Sequence, residues 1–113
     1  MQNKINIHLR FKEYEFRRAT HMGTNAVLYT TGDWVGKEVL IIPMPINITD
    51  RWIEKQQDFD ETINDFIYDM TVESDTILKK TVGRSRNIGR MYVPKELVGL
   101  DCLIIEAPKL DNF

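Results

Sequence analysis

The chain is short of the residues that build reactive centres. Of its 113 residues one is a cysteine, Cys102, and two are histidines, His8 and His21. A lone thiol closes no internal disulfide, and one Cys with two His residues assembles neither a zinc site nor a redox pair. Cys102 lies in an apolar run, which suits a small buried filler and not a nucleophile. No apolar run approaches the roughly 20 residues of a membrane span. Met1-Gln2-Asn3-Lys4 lacks the apolar core of a signal peptide. The chain therefore reads as cytoplasmic, with no membrane partner. Also missing are a phosphate loop of the Gly-Lys-Ser type, a nucleophile beside a general base and a glycine-bearing calcium loop. These absences predict a non-enzyme with no catalytic residue, no metal and no cofactor.

What is present fits an ordinary globular protein. With 42% hydrophobic and 28% charged residues, the chain predicts one small domain over residues 1–113. The net charge of −2 hides an uneven distribution. Between Asp50 and Asp75 stand nine acids, Asp50, Glu54, Asp58, Asp60, Glu61, Asp65, Asp69, Glu73 and Asp75, against two bases, Arg51 and Lys55. The remainder holds 13 bases against 8 acids. A polyanion would meet the flanks and not the middle.

The flanks repeat each other. At an offset of 63 residues, Tyr29 to Ile42 and Tyr92 to Ile105 share the Tyr, Val-Gly and Leu-Ile-Ile, and Pro45 falls on Pro108. Two copies are too few for a solenoid, so the repeat predicts one pseudo-symmetric domain. The copies run over about 5–45 and 76–108, with a connector at about 50–72. In the second copy Arg90-Met91-Tyr92-Val93 has strand character, Pro94 ends it, and Asp101 to Ile105 makes a second strand. Gly36 and Gly99 fall in the turn between, where a side chain would resist the backbone conformation. Ile5 to Phe16 and Thr76 to Val82 extend ahead of each copy. Ile5 to Phe11 alternates strictly, which turns His8 and Arg10 away from the buried face.

The connector reads as an acidic amphipathic helix. Asp50 suits its N-cap, and Phe59, Ile63, Phe66, Ile67 and Met70 recur at spacings of three and four. Asp58, Glu61, Asp65 and Asp69 would form its solvated face.

The loops ahead of the repeats carry the functional signal. Arg17-Arg18-Ala19-Thr20-His21 to Asn25 corresponds, with one extra residue in the second copy, to Lys79-Lys80-Thr81-Val82-Gly83-Arg84-Ser85-Arg86-Asn87. Cations beside Ser, Thr, Asn and glycine contact phosphate oxygens, and Arg and Asn also read base edges.

Gly89-Arg90-Met91-Tyr92-Val93-Pro94-Lys95-Glu96-Leu97-Val98-Gly99, followed by Leu103-Ile104-Ile105, resembles the strand-Pro-Lys-Glu core of AbrB-like, SpoVT-type DNA-binding domains. It is similar above all to short archaeal relatives described as transposon-encoded. The first copy has Thr31-Gly32-Asp33 where the second has Pro94-Lys95-Glu96. The resemblance implies an α+β, mainly β fold: a pseudo-two-fold swapped-hairpin β-barrel made by the two repeats and joined by the acidic helix. It also implies binding of duplex DNA by a transcriptional regulator or antitoxin-like protein, acting as a monomeric pseudo-dimer or a homodimer. The residues so implicated are Arg84, Arg86, Asn87, Arg90 and Lys95, with Lys79, Lys80, Arg17, Arg18 and His21 on the phosphate side. The alternative is a protein-interaction module of that fold that uses the acidic helix or a sheet edge.

Overall fold

The apolar triplets Leu40-Ile41-Ile42 and Leu103-Ile104-Ile105 determine the architecture, because every side chain in them is at least half-buried. A strand with both faces buried must lie in a sheet that is covered on both sides. In a computed structural model, which describes residues Lys4–Pro108, that sheet is the middle of three layers. Met1 to Asn3, part of the stretch read for a leader, lie outside the described residues.

The middle sheet has the order β2-β11-β5-β8, from Tyr14–Arg18 (β2), Glu38–Pro43 (β5), Leu78–Thr81 (β8) and Asp101–Glu106 (β11). On one side lies the sheet β3-β4-β10-β9, from Thr20–Met22 (β3), Asn25–Thr31 (β4), Gly83–Ser85 (β9) and Ile88–Val93 (β10). On the other lies β1-β7-β6, from Ile5–Phe11 (β1), Gln57–Asp60 (β6) and Asp65–Ser74 (β7). All pairings are antiparallel. Val39, Ile41, Cys102 and Ile104 point into one core with Leu28, Met91, Trp34 and Leu97. Ile42, Leu103 and Ile105 point into the other with Leu9, Phe11, Met70 and Val72.

The offset of 63 residues holds element by element. It carries β3 onto β9, β5 onto β11, and the 3-10 turn Gly32–Trp34 onto Lys95–Leu97. It carries β1 onto residues 68–74 as well, so the repeated unit reaches back into the connector. Backbone bonds cross between the copies in reciprocal pairs. Gly36 N–H donates to Val82 O and Gly99 N–H to Ala19 O, both at 2.9 Å. Val82 N–H returns to Lys37 O at 2.9 Å, and Ala19 N–H to Leu100 O at 3.0 Å. Gly36 and Gly99 have φ of +87° and +86°, a region that favours glycine. The basic loops keep the same offset, with no extra residue in the second copy: His21 aligns with Arg84, and Gly23 with Arg86.

Two expectations fail. The swapped-hairpin β-barrel is not found, because the three sheets stay open and stack as layers. Its closed interior would have one core, whereas the doubly buried β5 and β11 require two. The acidic helix over 50–72 is not found either. Only Asp50–Glu54 (α1) is helical, and Thr49, not Asp50, caps it, its side chain accepting from Trp52 N–H at 3.2 Å. Beyond it the chain forms the β6–β7 hairpin, with Phe59 opposite Phe66 and Asn64 at φ 54° in the connecting turn. The spacing of three and four in Phe59 to Met70 competed with a period of two in Tyr68, Met70, Val72 and Ser74. The second prevailed because β1 pairs along the whole of Tyr68–Ser74 and buries that face. Ile67, Thr71 and Val72, branched at Cβ, also favour a strand.

Two acids of the expected helix face, Asp65 and Asp69, and the nearby Asp60 therefore meet cations of β1 and its end. Asp69 accepts from His8 at 2.5 Å, Asp60 is bonded by Arg10, and Asp65 accepts from Lys12 at 2.9 Å. The bonds from Arg10 and Lys12 hold the Asp60 and Asp65 carboxyls below their ordinary range. His8 and Arg10 lie on the outer face of the sheet.

Candidate nucleic-acid interface

The β9–β10 hairpin places four of the ten candidate residues together. Ser85 pairs with Ile88, leaving Arg86 and Asn87 as a two-residue loop. Arg86 has φ 60°, a left-handed conformation that costs an L-residue about 1–2 kcal/mol, and Asn87 does not share it. Positive φ at the first loop residue alone is the pattern of a type II′ turn, which normally takes glycine there. The first copy does so, with Gly23 at +59°. Arg86 thus occupies a position where its own twin uses glycine.

Arg84 and Arg90 flank this turn. Arg84 is on β9 opposite Gly89, and Arg90 is on β10 opposite Tyr29. Ile88, Arg90 and Tyr92 alternate with the buried Gly89, Met91 and Val93, so they share the outer face of the sheet. The Arg90 guanidinium stands 5.1 Å from the Tyr92 ring centroid, an attraction that holds the arginine over an exposed ring. Gly89 is required beneath them. A Cβ there would collide with Thr30 Oγ1 and Val82 Cγ1.

The other candidates divide in two. Arg17 donates to Glu15 at 2.9 Å, Arg18 to Asp101 at 3.0 Å, and Lys79 lies 3.3 Å from Glu38. Arg18 is raised above its usual value, chiefly by the hydrogen bond to Asp101. These three cations are already partly neutralised. Lys80, Arg84, Arg86, Arg90 and Lys95 have no carboxylate at ion-pair distance among the described residues. His21 is exposed on β3, at the position of Arg84 in the other copy. Lys95 opens the 3-10 turn after β10, where Val93 pairs with Ala26, and so stands at the end of the strand away from Arg86 and Asn87. The structure thus brings Arg84, Arg86, Asn87 and Arg90 onto one hairpin, with Arg84, opposite Gly89, on the other face of the ribbon from Arg90, and leaves Lys95, Arg17, Arg18 and Lys79 apart from it.

No family model, curated protein or solved structure matches the chain. Function is therefore carried by the chemistry of the site itself. Tyr92 escaped the reading of charges, and so did Ser85, which lies on the same face as Ile88 and Arg90. Alternation along Ile88 to Val93 was the signal, since it makes Arg90 and Tyr92 neighbours. Among the described residues no three His, Cys, Asp or Glu side chains converge to hold a metal. Nor is any described helix long and apolar enough to cross a membrane. Cys102 is fully buried, and burial pushes its thiol up to about 12.

Proposed function

We propose that this protein is a non-enzymatic, sequence-preferring DNA-binding protein, a transcriptional regulator or antitoxin-like, whose β9–β10 hairpin enters the major groove. The observation that carries the reading is Arg86, held in a left-handed conformation beside two other unneutralised arginines. Strained residues that a fold could relieve with glycine are found where the side chain is needed. A two-stranded ribbon fits the major groove, where Arg reads guanine and Asn reads adenine through paired hydrogen bonds. Arg84, Arg86 and Asn87 supply those groups at the turn. Arg90, steadied on Tyr92, and Lys80 supply phosphate contacts. The similarity of Gly89 to Gly99 to the AbrB-like strand-Pro-Lys-Glu motif supports the same reading.

The deciding experiment is retention of a random duplex pool at about 50 and 200 mM salt, followed by sequencing of what is bound. A common motif with salt-sensitive binding is expected, and Arg84→Ala with Arg86→Ala should abolish its recovery while the fold persists. No retention at the lower salt refutes the proposal.

A second reading, a protein-interaction module, draws on the β6–β7 hairpin that takes the place of the expected helix. Its Phe59, Ile63 and Phe66 are exposed, and the two rings meet edge-to-face with centroids 5.2 Å apart. Under that reading the same DNA pool would be left unbound at both salt levels.

A further inference from the structure

Each copy carries a cleft beside its 3-10 turn; the charges lining the first balance, Arg10 and Lys12 against Glu13 and Glu106, whereas acids prevail in the second. The first, of about 340 Å³, is flanked by Arg10 and Lys12 and backed by Trp34 and Pro108. The second, of about 380 Å³, has Glu73, Asp75, Leu97 and Pro45 at the equivalent positions. Glu96, where the first copy has Asp33, adds a third carboxylate to its rim.

In the first cleft the two cations are satisfied within the chain. Arg10 is bonded to Asp60 and stands 3.5 Å from Asp69, and Lys12 is 2.9 Å from Asp65. Asp60 and Asp65 come from the turn of the β6–β7 hairpin, part of which lies outside the repeat. In the second cleft nothing plays that part. Among the described residues no cation stands at ion-pair distance from Glu73, Asp75 or Glu96, although Lys4 lies on the cleft wall. Between these carboxylates the surface is apolar. Met44, Pro45 and Leu97 line it, Leu100 is 42% exposed, and Ile46 is wholly exposed.

We propose that the Leu97 cleft docks a segment of a protein partner in which Lys or Arg side chains flank aliphatic or aromatic ones. The carboxylate rim would select the cations and speed the encounter, while the apolar floor would supply most of the affinity. The ion pairs of the first cleft show the same positions engaged by charges of opposite sign. The inference concerns a site separate from the β9–β10 hairpin and stands whether or not that hairpin binds DNA.

The test is a random peptide library displayed on phage and panned against the full chain. The counter-selection target is a variant carrying Glu73→Lys, Asp75→Lys and Glu96→Lys, all at exposed positions. Enriched peptides should combine Lys or Arg with Leu, Ile, Met or Phe. As labelled free peptides they should bind the unaltered chain at least tenfold tighter than the variant, a difference of about 1.4 kcal/mol. Ile46→Asp, at a side chain that packs on nothing, should weaken them too and leave the melting temperature unchanged. Enrichment of acidic or uncharged peptides, or equal affinity for the triple variant, overturns the proposal. So does a dimer of the unaltered chain that the triple variant returns to monomer, since the occupant would then be a second copy.

Discussion

Replacing Arg86 by glycine should make the protein more stable and less able to bind DNA. The first effect follows from the backbone. At φ 60° an L-residue pays about 1–2 kcal/mol, and glycine pays almost none. Glycine gives back about 0.5–1 kcal/mol through the extra freedom of its unfolded chain. The net gain is therefore between zero and about 1.5 kcal/mol, which for a chain of this length is a rise of up to about 9 °C in melting temperature. No offsetting loss of an ion pair is expected, since Arg86 has none among the described residues. The second effect follows from the proposed contact, because one paired Arg–guanine interaction is worth about 1–3 kcal/mol of discrimination. Urea melts and fluorescence anisotropy with the selected duplex, read at two salt concentrations, measure the two effects separately. Gly23→Arg is the reciprocal control and should lose about what Arg86→Gly gains. A less stable Arg86→Gly protein would refute the account of the turn. A more stable one with undiminished affinity would remove Arg86 from the interface.

Gly89→Ala forces a Cβ against Thr30 and Val82 and should cost about 1–3 kcal/mol in urea unfolding, because a packed core has no room to yield; a change within about 0.5 kcal/mol contradicts the packing described. The carboxyls of Asp60 and Asp65 are held below their ordinary value of 3.8, so their ion pairs stabilise the fold above that pH. The contribution is lost as pH falls through the lowered values. Acid unfolding should thus begin at higher pH in Arg10→Met with Lys12→Met, and an unshifted acid midpoint would show that the pairs contribute nothing. Cys102, buried with its thiol pushed up to about 12, should resist a thiol reagent in the folded protein and react fully in denaturant. Rapid native labelling, followed by absorbance, would contradict its burial.

Much of the fold can be read along the chain. The repeat offset of 63 residues was visible in the shared Tyr, Val-Gly and Leu-Ile-Ile, and it places every strand from β2 to β5 on its twin from residue 77 to β11. Pro94 ends β10 because it has no N–H to give a ladder. Less obvious was the equivalence of β1 with Tyr68–Ser74, which share no residue. Both alternate, with Ile7 and Leu9 matching Met70 and Val72, and that alternation was the available signal. At the candidate interface the sequence named the arginines but not which of them were free, because Glu15, Asp101 and Glu38 reach Arg17, Arg18 and Lys79 only through strand pairing.

Local chemistry by itself determined that β10 stops at Pro94, that Gly36 and Gly99 are needed in the turns after the 3-10 segments, and which segments are apolar enough to be buried. These properties depend on sterics and hydration within a few residues. Tertiary structure alone decided that Asp65–Ser74 is a strand and that Leu40 to Ile42 is covered on both faces. It also decided that Glu73 and Asp75 stay unneutralised while Arg10 and Lys12 are paired. Each of those outcomes depends on which distant strand lies alongside, and the same side chains would satisfy a different period or a different partner if that neighbour were absent.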